Sequence, residues 1–286
     1  MNRLPDAKRI QILSLLCEGT SMRAISRLAD VSINTVTREL VLAGQACADF
    51  HHVTVRDIRS KRVQCDEIWS FVEMKEKQAR LKTRRPSNVG DTWTWTGIDA
   101  NSKLIISWFI GSRDADAAWV FMRDLASRLA NRVQLTTDGH GAYLGAVDGA
   151  FGTSIDYAML VKQYGTAAEG EKRYSPAVCR GAQRTVIHGN PDPAHINTSY
   201  VERQNLTMRM HMRRFTRLTN AFSKKFENHC HMVALYAVWY NFIRIHKTLR
   251  VTPAMEASVT DRLFSYEELI GIVDEWEANQ RAADAS

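Results

Sequence analysis

The stretch RVQCDEIWSFV, Arg62–Val72, decides how the rest of the chain is read. It is apolar at Val63, Ile68, Trp69, Phe71 and Val72, rich in β-formers, and so short that a strand fits it better than a helix. Two adjacent acids, Asp66 and Glu67, interrupt it. A carboxylate inside a strand is costly to bury unless it is paired or holds a cation. Alternation sends the two to opposite faces, and spacing alone does not choose between them. The plain alternative is an edge acid facing water or a salt-bridge partner.

Working outward, DTWTWTGIDA (91–100) and KLIISWFIG (103–111) read as strands, the second as one buried on both faces. DADAAWVFMRDLASRLA (114–130) reads as a helix with acids in its first turn, where they suit the helix dipole. RVQLTTDG (132–139) is a short strand ending at Asp138. GAYLGAVDGAF (141–151) is a short helix, and SIDYAMLVKQY (154–164) a fifth strand. Asp138-Gly139 is also an ordinary turn pair. Residues 165–198 are rich in Gly, Pro, Asn and charge and read as a long loop. Two long helices follow, over 200–218 and 224–246, then a shorter one near 266–279 and a polar, frayed end. Ser199-Tyr200-Val201-Glu202 is a capping-box pattern, which would occupy Glu202 with free amides at the helix start. Arg203, Arg209, Arg213, Arg214 and Arg217 crowd that helix with few acids to offset them, a surface that favours an anionic cover. Met232, Leu235, Tyr236 and Trp239 form a stripe at helical spacing that belongs to the core.

Ahead of the first strand, SMRAISRLADVSINTVTREL (21–40) has the spacing of a helix-turn-helix. Ile25 and Leu28 pack from the first helix, Val31 fills the turn, and Val36 and Leu40 pack from the second. Asp30 takes the left-handed position and Ser32 caps the second helix. An ordinary helical hairpin would show the same apolar pattern. Placed in a major groove, the second helix presents Ile33, Asn34, Thr37 and Arg38 to base edges, with Arg23 and Arg27 of the first helix on phosphates.

The 286 residues carry a formal net charge of +7 and a pI near 9.2, which favours a polyanionic partner such as double-stranded DNA. The 45% hydrophobic and 24% charged fractions are those of a globular chain. The five cysteines, Cys17, Cys47, Cys65, Cys179 and Cys230, form no C-x-x-C pair, which argues against a disulfide framework or four-cysteine zinc site. With no spanning apolar run and no secretory start, the expectation is a cytoplasmic protein.

DEIWSFV from Asp66, TDGHGAY from Thr137 and YVERQNL from Tyr200, in this order, resemble the DDE transposases of bacterial insertion sequences, the insertion-sequence-one family above all. The similarity extends through RFTRLTNAFSKK and the C-terminal helices and covers roughly residues 60–257. Some relatives carry a cysteine zinc finger before the helix-turn-helix; no such cysteines stand here. The resemblance implies an α/β, RNase H-like catalytic domain with a central mixed five-stranded sheet and flanking helices, preceded by a small all-α helix-turn-helix domain. It selects Asp66 over Glu67 and implies Asp66, Asp138 and Glu202 as catalytic residues and ligands of two Mg²⁺ or Mn²⁺ ions. It further implies binding of transposon ends and target DNA through Arg203, Arg209 and Arg213, metal-dependent strand cleavage and strand transfer, and at least a homodimer on DNA. The expected divisions are a helix-turn-helix domain over 1–48, a linker over 49–60, the catalytic domain over 61–257, and a C-terminal helix and tail over 258–286. Two rival readings share these residues: a metal-dependent nuclease that cuts without joining, and a catalytically inactive DNA-binding regulator.

Overall fold

The computed structural model describes residues 3–82, 88–165, 179–216 and 219–284. Three helices come first, α1 (Asp6–Cys17), α2 (Met22–Leu28) and α3 (Ile33–Thr54). The sheet follows as β1 (Arg62–Val72), β2 (Gly90–Asp99), β3 (Ile105–Gly111), β4 (Gln134–Asp138), β5 (Asp156–Tyr164) and β6 (Cys179–His188). Between strands lie the single turn α4 (Glu76–Ala79) and the helices α5 (Ala115–Arg128) and α6 (Ala142–Phe151). After the sheet come α7 (Ser199–His211), α8 (Phe226–Val238), the single turn α9 (Pro253–Glu256) and α10 (Tyr266–Asp284).

The sheet has six strands in the order β3-β2-β1-β4-β5-β6. β1, β2 and β3 pair antiparallel, while β4 lies parallel to β1 and β5 parallel to β4. This mixed sheet with flanking helices is consistent with an RNase H-like fold. It corrects the expected five strands, because β6 pairs antiparallel with β5 inside the stretch read as a loop over 165–198. Most described side chains of β6 are exposed, so backbone pairing rather than burial makes it a strand, and hydrophobic pattern could not reveal it. Residues 166–178 of that stretch lie outside the described residues.

β1 is central and therefore largely buried. One sheet face is covered by α5 and α6, where Trp95 packs against Phe121 and Tyr143. The other is covered by α7, where Thr96 and Met208 meet. β3 is an edge strand: Ile105 and Ile106 are buried, but its second half is only half-buried, unlike the fully covered strand expected from KLIISWFIG.

α3 departs furthest from expectation. Its 22 residues run through position 48, so no boundary falls there. Its last turns are part of the main core: His51 bonds Ile105 O at 3.1 Å, and Arg128 donates to Val55 O at 3.1 Å. Gly44 lets α3 touch α8, since a Cβ there would lie 2.3 Å from the Cβ of His231. Residues 55–60 are docked too, with Ile58 buried and bridged to Leu129. α3 belongs to one continuous core, in which Val36, Leu40 and Cys47 join the sheet and α8 residues, and no composition shift marks a passage along it.

α7 and α8 are shorter than expected. α7 ends where Met212 turns extended (φ −122°, ψ 107°), because Met212 and Phe215 both enter the core there. α8 gives way to a π-helical turn, Trp239–Ile243. α10 runs on to Asp284 instead of fraying and is tied to α1 and α3: Arg9 joins Asp274 at 2.8 Å and Glu39 at 3.2 Å, and the Trp276 indole donates to Asp49 at 2.7 Å. Arg9 and Glu39 are both buried, and each keeps a second ion partner, Asp274 for Arg9 and Arg38 for Glu39, when the other is removed. Glu39→Ala should therefore cost about 2 kcal/mol in urea unfolding, less than the loss of a sole partner, with most of it recovered in an Arg9→Met/Glu39→Leu pair. A loss under about 1 kcal/mol for Glu39→Ala would show the pair to be marginal.

No helix among the described residues is long and apolar enough to cross a membrane. Cys17, Cys47, Cys65 and Cys230 are free thiols. The stripe Met232, Leu235, Tyr236 and Trp239 is buried in the core.

Candidate active site

Strand pairing brings the first two acids together. β1 and β4 run parallel with Cys65 beside Thr137, so one step further along each strand sets Asp66 beside Asp138. Alternation does split Asp66 from Glu67. Asp66 accepts a 2.8 Å hydrogen bond from Asn205 of α7 on one face, and Glu67 accepts one of 2.8 Å from the Tyr143 hydroxyl of α6 on the other. At the strand end the three carboxyls nevertheless converge, with ligand oxygens of Asp66, Glu67 and Asp138 all within 4.8 Å of one another.

Glu202 stands outside that triplet but on the same open cleft of about 740 Å³, which is also lined by Asp66, Glu67, Asp138, Arg113, His140, Lys162, Asn205 and Arg209. The capping box does not form. Thr198 is the N-cap, and the free amides of Tyr200 and Val201 go to Gln64 Oε1 of β1, at 2.9 and 3.2 Å. Gln64 is buried and two residues from Asp66, so one side chain docks the start of α7 onto the strand that carries the first acid. The Glu202 carboxylate is thereby left for the cleft. Both its oxygens lie 2.5 Å from Lys162 Nζ, and Thr198 Oγ1 donates to one of them at 2.5 Å.

Burial and like charge set the site's electrostatics. Burial, then Glu67 and Asp138, push the Asp66 carboxyl up to about 7, and Glu202 adds to the push. Glu67 is raised by burial and Asp138, against the opposing pull of Arg113 and Tyr143. Arg113 donates to Glu67 at 2.6 Å, reaches to 3.6 Å from Asp138 and stacks 4.7 Å from the Trp93 ring. Four acids and three cations (Arg113, Lys162, Arg209) thus face one cleft.

The other expected residues divide. Arg209 lies on the cleft, as its seven-residue spacing from Glu202 implies. Arg203 is exposed but, one residue beyond Glu202, turns off that face and lines no part of the cleft. Arg213 is exposed beyond the end of α7, so it does not continue a helical track, and Arg217 lies outside the described residues. His140, two residues beyond Asp138, is half-buried and lines the cleft. Its ring packs on Trp95 and Tyr143, and its buried Nε2 has no hydrogen-bond partner among the described residues.

At the front, Asp30 has φ 51° and Ser32 accepts from the Thr35 amide at 3.1 Å, as expected. Ile25, Val36 and Leu40 are buried, whereas Leu28 is 60% exposed and Ala29 takes the buried place beside Ile25. Arg23, Arg27 and Asn34 are exposed. Thr37 donates back to Ile33 O at 2.9 Å, and Arg38 contacts Glu39 at 3.3 Å.

Sequence reasoning missed Gln64, Arg113, Lys162 and Asn205. Two carried signals: Lys162 is a lone cation in an apolar strand, and Asn205 follows Glu202 by three, on the same helix face. Gln64 and Arg113 carried none, because their partners lie far off in the chain.

No protein-family model matches the chain, and no curated protein matches it in sequence. Among solved structures it is similar to the Mos1 strand transfer complex, at 16% identity over 55% of this chain and 58% of that one, with a TM-score of 0.25. It is similar to the Mos1 mariner paired-end complex with Mn, at 12% identity over 82% and 76%, TM-score 0.30. It is also similar to the piggyBac transposase synaptic complex with hairpin DNA, at 8% identity over 94% and 69%, TM-score 0.40. The chain spans less than two thirds of the length of the first of these.

Proposed function

We propose that this chain is a DDE-type transposase of the insertion-sequence-one kind, which binds the ends of a mobile element and catalyses metal-dependent strand cleavage and strand transfer. The observation that carries this reading is the convergence of Asp66 and Asp138 from adjacent parallel strands onto the cleft that Glu202 enters from α7.

The residues fit a hard divalent cation. The donors are all oxygens, which suits Mg²⁺ or Mn²⁺. Burial first, and then the neighbouring carboxylates Glu67 and Asp138, disfavour the ionised form of Asp66, which a cation held there would favour. Asn205 is 5% exposed and lines the cleft, and its Oδ1 has no hydrogen-bond partner among the described residues. Asp66, Asp138 and Glu202 would hold the ions. Glu67, already bonded by Arg113 and Tyr143, shapes the field instead. Two bound ions supply activation of the attacking oxygen and stabilisation of the leaving one.

The chain's own groups do the rest. Arg209 and Arg113 meet phosphate oxygens beside the scissile bond, and Asn205 fixes the Asp66 carboxylate. Water displaces the 3′-oxygen at the element end; the freed 3′-hydroxyl then displaces a 3′-oxygen in the target strand. Each step forms one P–O bond and breaks one, so a single site serves both and no nucleotide cofactor is consumed.

End recognition falls to α2 and α3. The exposed Asn34 and the half-buried Thr37 and Arg38 face the major groove, with Arg23 and Arg27 on the backbone. Because α3 continues into the core beside β3, reading a DNA end and presenting it to the cleft are mechanically linked. Asn34→Ala should weaken binding to the element's own ends by roughly 5- to 150-fold and leave arbitrary duplex nearly unaffected. Arg23→Ala should weaken both alike and flatten the salt dependence by about one unit. Fluorescence anisotropy against both duplexes checks this, and equal losses for Asn34→Ala on the two would remove α3 from base reading.

A further inference from the structure

Lys162 stands out among the groups around the cleft. It is the one cation on an otherwise apolar run of β5, two residues past Leu160, which pairs with Asp138. Its ammonium spans both Glu202 oxygens at 2.5 Å. Lysine carries that charge on a flexible four-carbon stem, and Lys162 is only partly buried, its side chain 29% exposed. Arg113 differs: its guanidinium pairs with Glu67 and stacks on the Trp93 ring, and it does not touch Glu202.

Resting on the transposase reading, we propose that Lys162 is a resident counter-ion that competes with the divalent cation for Glu202 and, once displaced, becomes a phosphate-binding residue for DNA in the same cleft. Before metal binds, it neutralises Glu202 and keeps α7 fastened to β5. A divalent cation shared by Glu202 would sit close to the ammonium, and the repulsion between them drives Lys162 off. The freed side chain lines a cleft whose scissile phosphate needs a cation. Loading of the metal and gripping of DNA are in this way coupled through one side chain, and the cleft holds DNA phosphate well only after the metal has arrived.

The test measures Mn²⁺ binding to the full chain without DNA, by calorimetry or by loss of the free-ion spin-resonance signal. Lys162→Met should bind Mn²⁺ about tenfold more tightly than wild type, since a positive neighbour is gone. Lys162→Arg should bind no more tightly than wild type, and Asp66→Asn should not bind. With Mn²⁺ present, Lys162→Met should hold a short duplex of arbitrary sequence less tightly, with the salt slope shallower by about 0.9. Should the Met variant melt without cooperativity, Lys162→Gln takes its place. Mn²⁺ affinity equal to or weaker than wild type in the neutral variant overturns the competition while leaving the metal site standing. A wild-type chain that binds no Mn²⁺ overturns the site and this inference together.

Discussion

Asp66→Asn, Asp138→Asn and Glu202→Gln should each reduce strand cleavage by on the order of 10³-fold or more while leaving binding to element ends within about twofold of wild type. The two effects separate because the acids line the cleft, whereas the exposed residues of α2 and α3 line no part of it. Each amide is nearly isosteric with the acid it replaces, so the cleft keeps its shape and loses only charge. Glu67→Gln is the informative companion. Glu67 accepts from Tyr143 and Arg113 and would not hold the ions, so its loss should act mainly on stability, with cleavage falling far less than for the other three. Cleavage of a labelled end duplex in Mn²⁺ measures all four. Retained cleavage in any two of the first three would sink the assignment, and a Glu67→Gln defect as deep as that of Asp66→Asn would move the ligand role to Glu67. A strand-transfer assay with pre-cut ends then separates a transposase from a nuclease that only cuts.

The second large effect is on stability, and its sign follows from Asp66. Its carboxyl titrates near 7 in the fold because of burial, then Glu67 and Asp138; in the unfolded chain it titrates near 4. The fold therefore binds this proton more tightly than the unfolded chain does. The stabilisation is complete below about pH 4 and is lost as pH rises towards 7. A three-unit shift is worth about 4 kcal/mol at full value, and partial exposure cuts this to roughly half. In chelator, Tm should drop by about 4 °C between pH 4 and pH 7 on this account, beneath whatever the other groups contribute. Mn²⁺ should reverse the trend above neutrality, because a cation makes the ionised cluster favourable. Asp66→Asn should flatten the slope and abolish the response to Mn²⁺. Melting curves with chelator and with Mn²⁺ at both ends of this range suffice; an identical slope in Asp66→Asn would assign the pH effect to other groups.

The strands and helix starts that carry the acids were legible in the sequence as far as local pattern reaches. The strand Arg62–Val72, the acid at the end of β4, the N-cap at Ser32 and the left-handed Asp30 all follow from backbone preferences that act within a few residues. β6 was not legible, since an edge strand gains its order from hydrogen bonds to β5 and leaves little trace in side-chain pattern. The ends of α7 and α8 were misplaced for a related reason: Met212 and the π-helical turn obey a core assembled from distant residues.

The three acids show where this division falls. By itself the sequence determined that Asp66 interrupts an apolar strand, that Asp138 closes another, and that Glu202 begins a helix, because these are matters of local periodicity. Only the tertiary structure decided that Glu202 is free of its capping role. That required Gln64, 136 and 137 residues away from Tyr200 and Val201, to satisfy the helix amides in its stead. Only the parallel pairing of β1 with β4 set Asp66 beside Asp138, and only the packing of α6 and α5 drew Glu67 aside onto Tyr143 and Arg113. Short-range preferences write themselves into neighbouring residues. The partner that satisfies a buried charge is chosen by where the chain returns, and no window along the sequence contains both.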